Sequence, residues 1–141
     1  MVDLTGFIKK GNINSKIFLG MSIEEVISLL DKDYERIGNM QSGYIQVAEL
    51  RIGYFGTKVD EIALMYFDTD IEHLVVGEYG SCSISKKTQI HELVQVLNYN
   101  GVEWKSYKET DLDYFYIRAH NGVTSIFDLD SGMLNRISIT G

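Results

Sequence analysis

Ionisable side chains are unevenly spread along this chain, and their densest run is acidic. Residues 59–85 contain no Lys or Arg but six acids, Asp60, Glu61, Asp68, Asp70, Glu72 and Glu78, interleaved with Tyr66, Phe67 and Tyr79. That segment carries −6 of a net charge of −7. Such carboxylates could do three kinds of chemistry. Toward a basic protein they would steer association and meet Arg bidentately, while rigid tyrosines supply contact area. Toward a hard cation they would be oxygen ligands, because residues two apart, such as Asp68 and Asp70, share one side of an extended strand. Asp111/Asp113 and Asp128/Asp130 repeat that spacing, but none of the three fits a calcium loop, and Asp130-Ser131-Gly132 is better explained as a turn. As an acid–base pair they would need two unlike environments, which spacing does not specify. The first chemistry is the expectation: Asp60, Glu61, Tyr66, Asp68, Asp70, Glu72, Glu78 and Tyr79 bind a partner, with no metal and no cofactor.

Nucleophilic and phosphate-binding chemistry find less support. Cys82, in Gly80-Ser81-Cys82-Ser83, has no partner cysteine and no base beside it, so it reads as a small buried residue. His73, His91 and His120 fall in different elements without ligand spacing. Gly53-Tyr54-Phe55-Gly56-Thr57-Lys58 has some of the composition of a phosphate loop but the wrong spacing and order. No helical pattern follows it to cradle a phosphate, so it is expected to be a hairpin turn. No enzyme is expected.

Residues 22–30, SIEEVISLL, place Ile23, Val26, Ile27, Leu29 and Leu30 on the 3.6-residue period of a helix with one buried face. Ser22 and Glu25 form the S-x-x-E pattern of a capping box. Residues 89–97, QIHELVQVL, repeat the pattern: Ile90, Leu93, Val94, Val96 and Leu97 each lie 67 positions after a counterpart, as Glu92 does after Glu25. After each helix come β-rich stretches, 44–54 and 59–67 in the first case, 104–108, 114–119, 123–129 and 133–140 in the second. Gly56-Thr57, Asn121-Gly122 and Asp130-Ser131-Gly132 supply hairpin signals. Without a partner, the acidic run reads as the solvated face of a strand and an inter-repeat loop. The expectation is one α+β domain, 1–141, of two tandem helix-plus-antiparallel-meander halves, 17–81 and 84–141, with the helices packed on antiparallel sheet.

The stretch Leu19-Gly20-Met21-Ser22-x-Glu24-Glu25-Val26-x-x-Leu29-Leu30 resembles the helix opening of repeats of the β-lactamase-inhibitor-protein and outer-membrane small-lipoprotein type. That resemblance implies a tandem helix-plus-meander architecture that works by protein binding. The chain departs from those families in lacking a secretory signal, a lipobox cysteine and paired cysteines. In general character it resembles a small acidic immunity protein of a bacterial toxin system, which implies an inhibitor masking a toxin's basic surface.

Composition bounds the rest. With 141 residues, 45% hydrophobic and 23% charged, the proportions are those of a folded domain able to bury a core of its own. The acidic balance disfavours nucleic acid and anionic membrane as partners. No apolar run reaches the ~18–20 residues that span a bilayer, and residues 1–16 show no apolar stretch long enough for a signal peptide. One cysteine fits a reducing cytoplasm. Two rival expectations stand beside the basic-partner reading: a small-ligand or enzymatic domain with a pocket between the meanders, and a homodimer closing an open sheet edge.

Overall fold

Alternating apolar side chains build one large antiparallel sheet, and three short helices close one of its faces. The computed structural model describes residues 4–30, 33–67, 69–77, 80–107 and 113–141. The helices are α1 (Leu4–Lys10), α2 (Ile23–Leu29) and α3 (Ile90–Tyr99). The strands are β1 (Glu35–Gly38), β2 (Ser42–Val47), β3 (Leu50–Phe55), β4 (Lys58–Met65), β5 (His73–Gly77), β6 (Gly80–Ile84), β7 (Trp104–Tyr107), β8 (Tyr114–Ala119), β9 (Thr124–Asp128) and β10 (Leu134–Thr140). Eight of them form a sheet in the order β1-β2-β3-β4-β10-β9-β8-β7, while β5 and β6 form a separate hairpin. The chain is α+β. Helices α2 and α3 are each followed by antiparallel strands, and the two sets meet where β4 pairs with β10, Ile137 opposite Leu64.

The core lies on one face of the sheet. Leu4, Phe7 and Ile8 of α1, Ile23 and Val26 of α2, and Leu93, Val96 and Leu97 of α3 join Ile45, Ile52, Ile62, Leu64, Ile117, Phe127 and Ile137 in one buried cluster. Each such side chain, fully buried, contributes about 1.5–3 kcal/mol of apolar transfer, more than any single cap or surface pair in the molecule. Hairpin β5–β6 packs against α1 and α3 and adds Val75 and Ile84 to the same cluster. Ala63, Met65 and Ile126 are also buried, but they point to the opposite face and stand outside that cluster.

Several local signals act as the residues dictate. The Ser22 hydroxyl caps α2 by accepting from Glu24 N–H, one position earlier than a full capping box requires. In α3 it is the carboxylate arm that forms, Glu92 Oε1 accepting from Gln89 N–H at 2.9 Å. Asn121, at the β8–β9 turn, donates through Nδ2 to the carbonyls of Ile8 and Lys9 and so closes the end of α1.

The structure differs from expectation in four places. Residues 44–54 are two strands, broken at Ala48-Glu49, where Ala48 takes φ +50. Strand β1 is an exposed edge with no buried face and therefore no alternation to read. The expected inter-repeat loop contains β5 and β6, and β6 runs through the boundary set at residues 81 and 84. Helix α1 also stands where no element was expected; its Leu4, Phe7 and Ile8 have helical spacing but span less than two turns.

Candidate functional site

Strand pairing carries one row of side chains across all eight strands of the face without helices. Its members are Glu35, Gln46, Arg51, Ala63, Ser138, Thr124, Arg118 and Lys105, in register from β1 to β7. Small side chains occupy the middle of this row and long ones both flanks, so the face has a low centre between raised walls. A parallel row on one side places Ile37, Tyr44, Gly53, Glu61 and Thr140. On the other side stand Met65, Arg136, Ile126 and Tyr116. No helix or strand among the described residues covers this face.

Its walls are held in shape. The Arg51 guanidinium lies 4.3 Å from the Tyr44 ring centroid, a cation–π contact, and its Nε donates to Gln46 Oε1 at 2.9 Å. Tyr114 and Tyr116 meet edge to face at 6.5 Å. Asp60 and Glu61 come together beside Gly53, where the β3–β4 register shifts. A Cβ on Gly53 would stand 3.1 Å from Asp60 Oδ1 and 3.2 Å from Glu61 Cβ, so the residue's smallness admits both acids. Phe55, 73% exposed, extends the apolar surface at the end of β3.

A second polar arrangement lies inside. His73, 1% exposed, sits between the Tyr66 hydroxyl at 2.8 Å from Nδ1 and Glu49 Oε1 at 2.8 Å from Nε2. The pattern that satisfies all three has Nε2–H donating to the Glu49 carboxylate and the Tyr66 O–H donating to Nδ1. Burial, with the Glu49 charge adding to it, pushes the Tyr66 hydroxyl far above the ordinary tyrosine range. Tyr66 is 0% exposed, so no substrate reaches its oxygen. This chain ties the β2–β3 turn, the end of β4 and the start of β5 together; it is a structural clasp. Sequence spacing gave no sign of it, because its members lie 24 and 7 residues from His73 in opposite roles.

The expected acidic surface is divided by this architecture. Asp60 and Glu61 are on the open face; Asp70 and Glu72 follow the far end of β4, roughly 13 Å of strand beyond Glu61. Asp70 pairs with Lys86 at 2.9 Å, which holds its carboxyl below the usual range, because the β5–β6 hairpin carries Lys86 back to it. Glu72 is exposed. Tyr66 is corrected from surface anchor to core residue, its hydroxyl committed to His73. Asp68, Glu78 and Tyr79 lie outside the described residues. Cys82 is half-buried, and burial raises its thiol. Among the described residues no group of three or more His, Cys, Asp or Glu is placed to hold a metal, and no helix is long and apolar enough to cross a membrane.

One concavity, a groove of about 1010 Å³, lies at the outer edge of the sheet and not between the meanders, lined among others by Val102, Trp104, Lys105, Arg118 and His120. A smaller one of about 310 Å³ lies between Gln46, Arg51 and Met65 and the segment with Phe67, Thr69 and Ile71. Comparison with protein-family models, with curated proteins and with solved structures finds no match to this chain.

Proposed function

We propose that this chain is a non-enzymatic protein-binding domain that docks its partner on the open face of the eight-stranded sheet. The observation that carries the reading is the composition of that face. Tyr44, Tyr116, Phe55 and Ile37 stand on it with Arg51, Arg118 and Arg136, and aromatic residues and arginine are the side chains enriched where proteins meet. Eight strands about 4.8 Å apart and some five residues deep give roughly 650 Å² on this side, close to the ~800 Å² per partner of an ordinary stable complex.

An immunity-type inhibitor is the form of this proposal in which the partner is a toxin domain whose working surface becomes masked. The net charge of −7 would steer a basic partner from a distance, while the face itself, with Glu35, Asp60, Glu61 and Asp128 against Arg51, Arg118, Arg136 and Lys105, selects contacts by local pairing. We also propose that the two helix-plus-meander sets are duplicated halves, each contributing four strands to the face; the 67-residue helix offset supports this.

The test is capture from a lysate of the source cells by the full chain and by two variants. Tyr44→Ala with Tyr116→Ala alters the open face; His91→Ala, on the exposed side of α3, is the control. A protein retained by the parent and the control and lost by the face variant supports the reading. Retention by the face variant equal to the parent's counts against it. The edge groove favours a second reading, a small ligand, and Trp104 makes that readable: a metabolite that binds there changes the fluorescence of the chain's one tryptophan.

A further inference from the structure

Four arginines occur in the chain, and three are held by neighbours. Arg36 donates through Nε to the Tyr54 hydroxyl at 3.2 Å and stands 3.8 Å from Glu24. Arg51 has Gln46 and the Tyr44 ring. Arg118 donates to Thr124 Oγ1 at 3.4 Å. Arg136 differs: its Nε is buried and has no hydrogen-bond partner, and no ion pair engages its guanidinium among the described residues. It stands on β10, one of the two central strands, between Met65 and Ile126 on the open face. Both flanking side chains are apolar and buried, so neither offers it a carbonyl or carboxylate acceptor.

An N–H taken out of water without an acceptor is costly, and natural folds rarely keep one without use. Here the group lies at the centre of a face that no helix or strand among the described residues covers, where the strongest anchors of protein interfaces concentrate. A guanidinium presents a planar fork that a carboxylate fills with two parallel hydrogen bonds. Asp60, Glu61 and Asp128 share the face and disfavour a more highly charged anion. We infer that Arg136 is the anchor of the docking face and that the partner fills it with a single aspartate or glutamate side chain, flanked by apolar or aromatic residues that rest on Met65, Ile126 and Tyr116. This rests on the protein-binding reading and names what the partner inserts. A partner that is basic overall satisfies both levels, steered by net charge and seated by one acid.

The experiment uses the full chain, ¹⁵N-labelled, and the probe peptide acetyl-Leu-Tyr-Glu-Tyr-Leu-amide beside versions with Gln or Lys in place of Glu. The readouts are the Arg136 Nε–H correlation and the backbone amides of Met65, Ile126 and Ser138. The Glu peptide is expected to move them and to bind about tenfold more tightly than the Gln peptide, the scale of a charge-assisted pair lost. Arg136→Gln removes that preference, and Arg136→Glu transfers it to the Lys peptide; both conserve the rest of the amide spectrum. Equal binding of Glu and Gln peptides on the open face overturns the carboxylate inference and leaves the docking face standing. Open-face amides unmoved by all three peptides overturn both. Inorganic phosphate that moves Arg136 Nε–H more than the Glu peptide does also overturns the inference, because the site then belongs to a phosphate.

Discussion

Tyr66→Phe removes one oxygen from the interior and leaves His73 Nδ1 without its donor. The oxygen lies 2.8 Å from that nitrogen, and both residues are at most 1% exposed, so no water replaces it. A neutral buried hydrogen bond contributes about 0.5–1.5 kcal/mol net, and a stranded buried acceptor costs about 1–3 kcal/mol, so a loss of about 2 kcal/mol is expected. With a urea slope of about 2 kcal/mol per M, the unfolding midpoint falls by about 1 M. Tyr44→Phe, on the open face, is the matched control and should cost less than ~0.5 kcal/mol. In a His73→Phe background the Tyr66 change should become nearly neutral, because the bond it breaks is already gone. The assay is equilibrium urea unfolding followed by circular dichroism. A Tyr66→Phe midpoint equal to that of Tyr44→Phe would refute the clasp.

Other outcomes follow from the same geometry. Burial holds the Tyr66 proton more tightly in the folded chain than in the unfolded one. Its contribution is therefore fully present below about pH 10 and lost as pH rises beyond the unfolded value, and Tyr66→Phe should flatten the alkaline fall in urea midpoint. Gly53→Val pushes a branched side chain against Asp60 and Glu61 and should cost about 1–3 kcal/mol, read from the same unfolding curves. Lys86→Ala breaks a pair whose Asp70 side is 94% exposed, so the urea midpoint should barely move, and any difference from the parent should shrink as salt is added. Arg136→Met removes the unpartnered buried N–H and should raise stability by about 1 kcal/mol while weakening partner binding, a combination seen in melting and capture together.

How much of this was legible in the residues depends on whether the signal was local. Helices α2 and α3 were readable because Ile23, Val26, Leu93 and Leu97 have the period of one buried face. The β8–β9 and β9–β10 turns were readable because Asn121-Gly122 and Ser131-Gly132 supply residues that tolerate positive φ, as Gly122 and Gly132 adopt. The β2–β3 turn was hidden because Ala48 takes that conformation without the usual residue type. Leu74 and Val76, apolar yet exposed on β5, hid the hairpin by erasing its alternation. The acidic run was visible, but its division between two ends of β4 is a matter of topology, as is the burial of Tyr66. The open face was least visible of all. Arg51, Ala63, Ser138, Thr124 and Arg118 become neighbours through strand pairing across the whole sheet, and no spacing in the chain announces a row of that kind.

Hydroxyl-radical footprinting of the chain, free and in complex with the captured partner, tests the docking face most directly, because oxidation of each aromatic side chain reports its own exposure. Tyr44, Phe55 and Tyr116 should lose reactivity on binding, while Phe18 and Tyr99, exposed outside that face, keep theirs. Protection of Phe18 or Tyr99 with Tyr44, Phe55 and Tyr116 unchanged would contradict it.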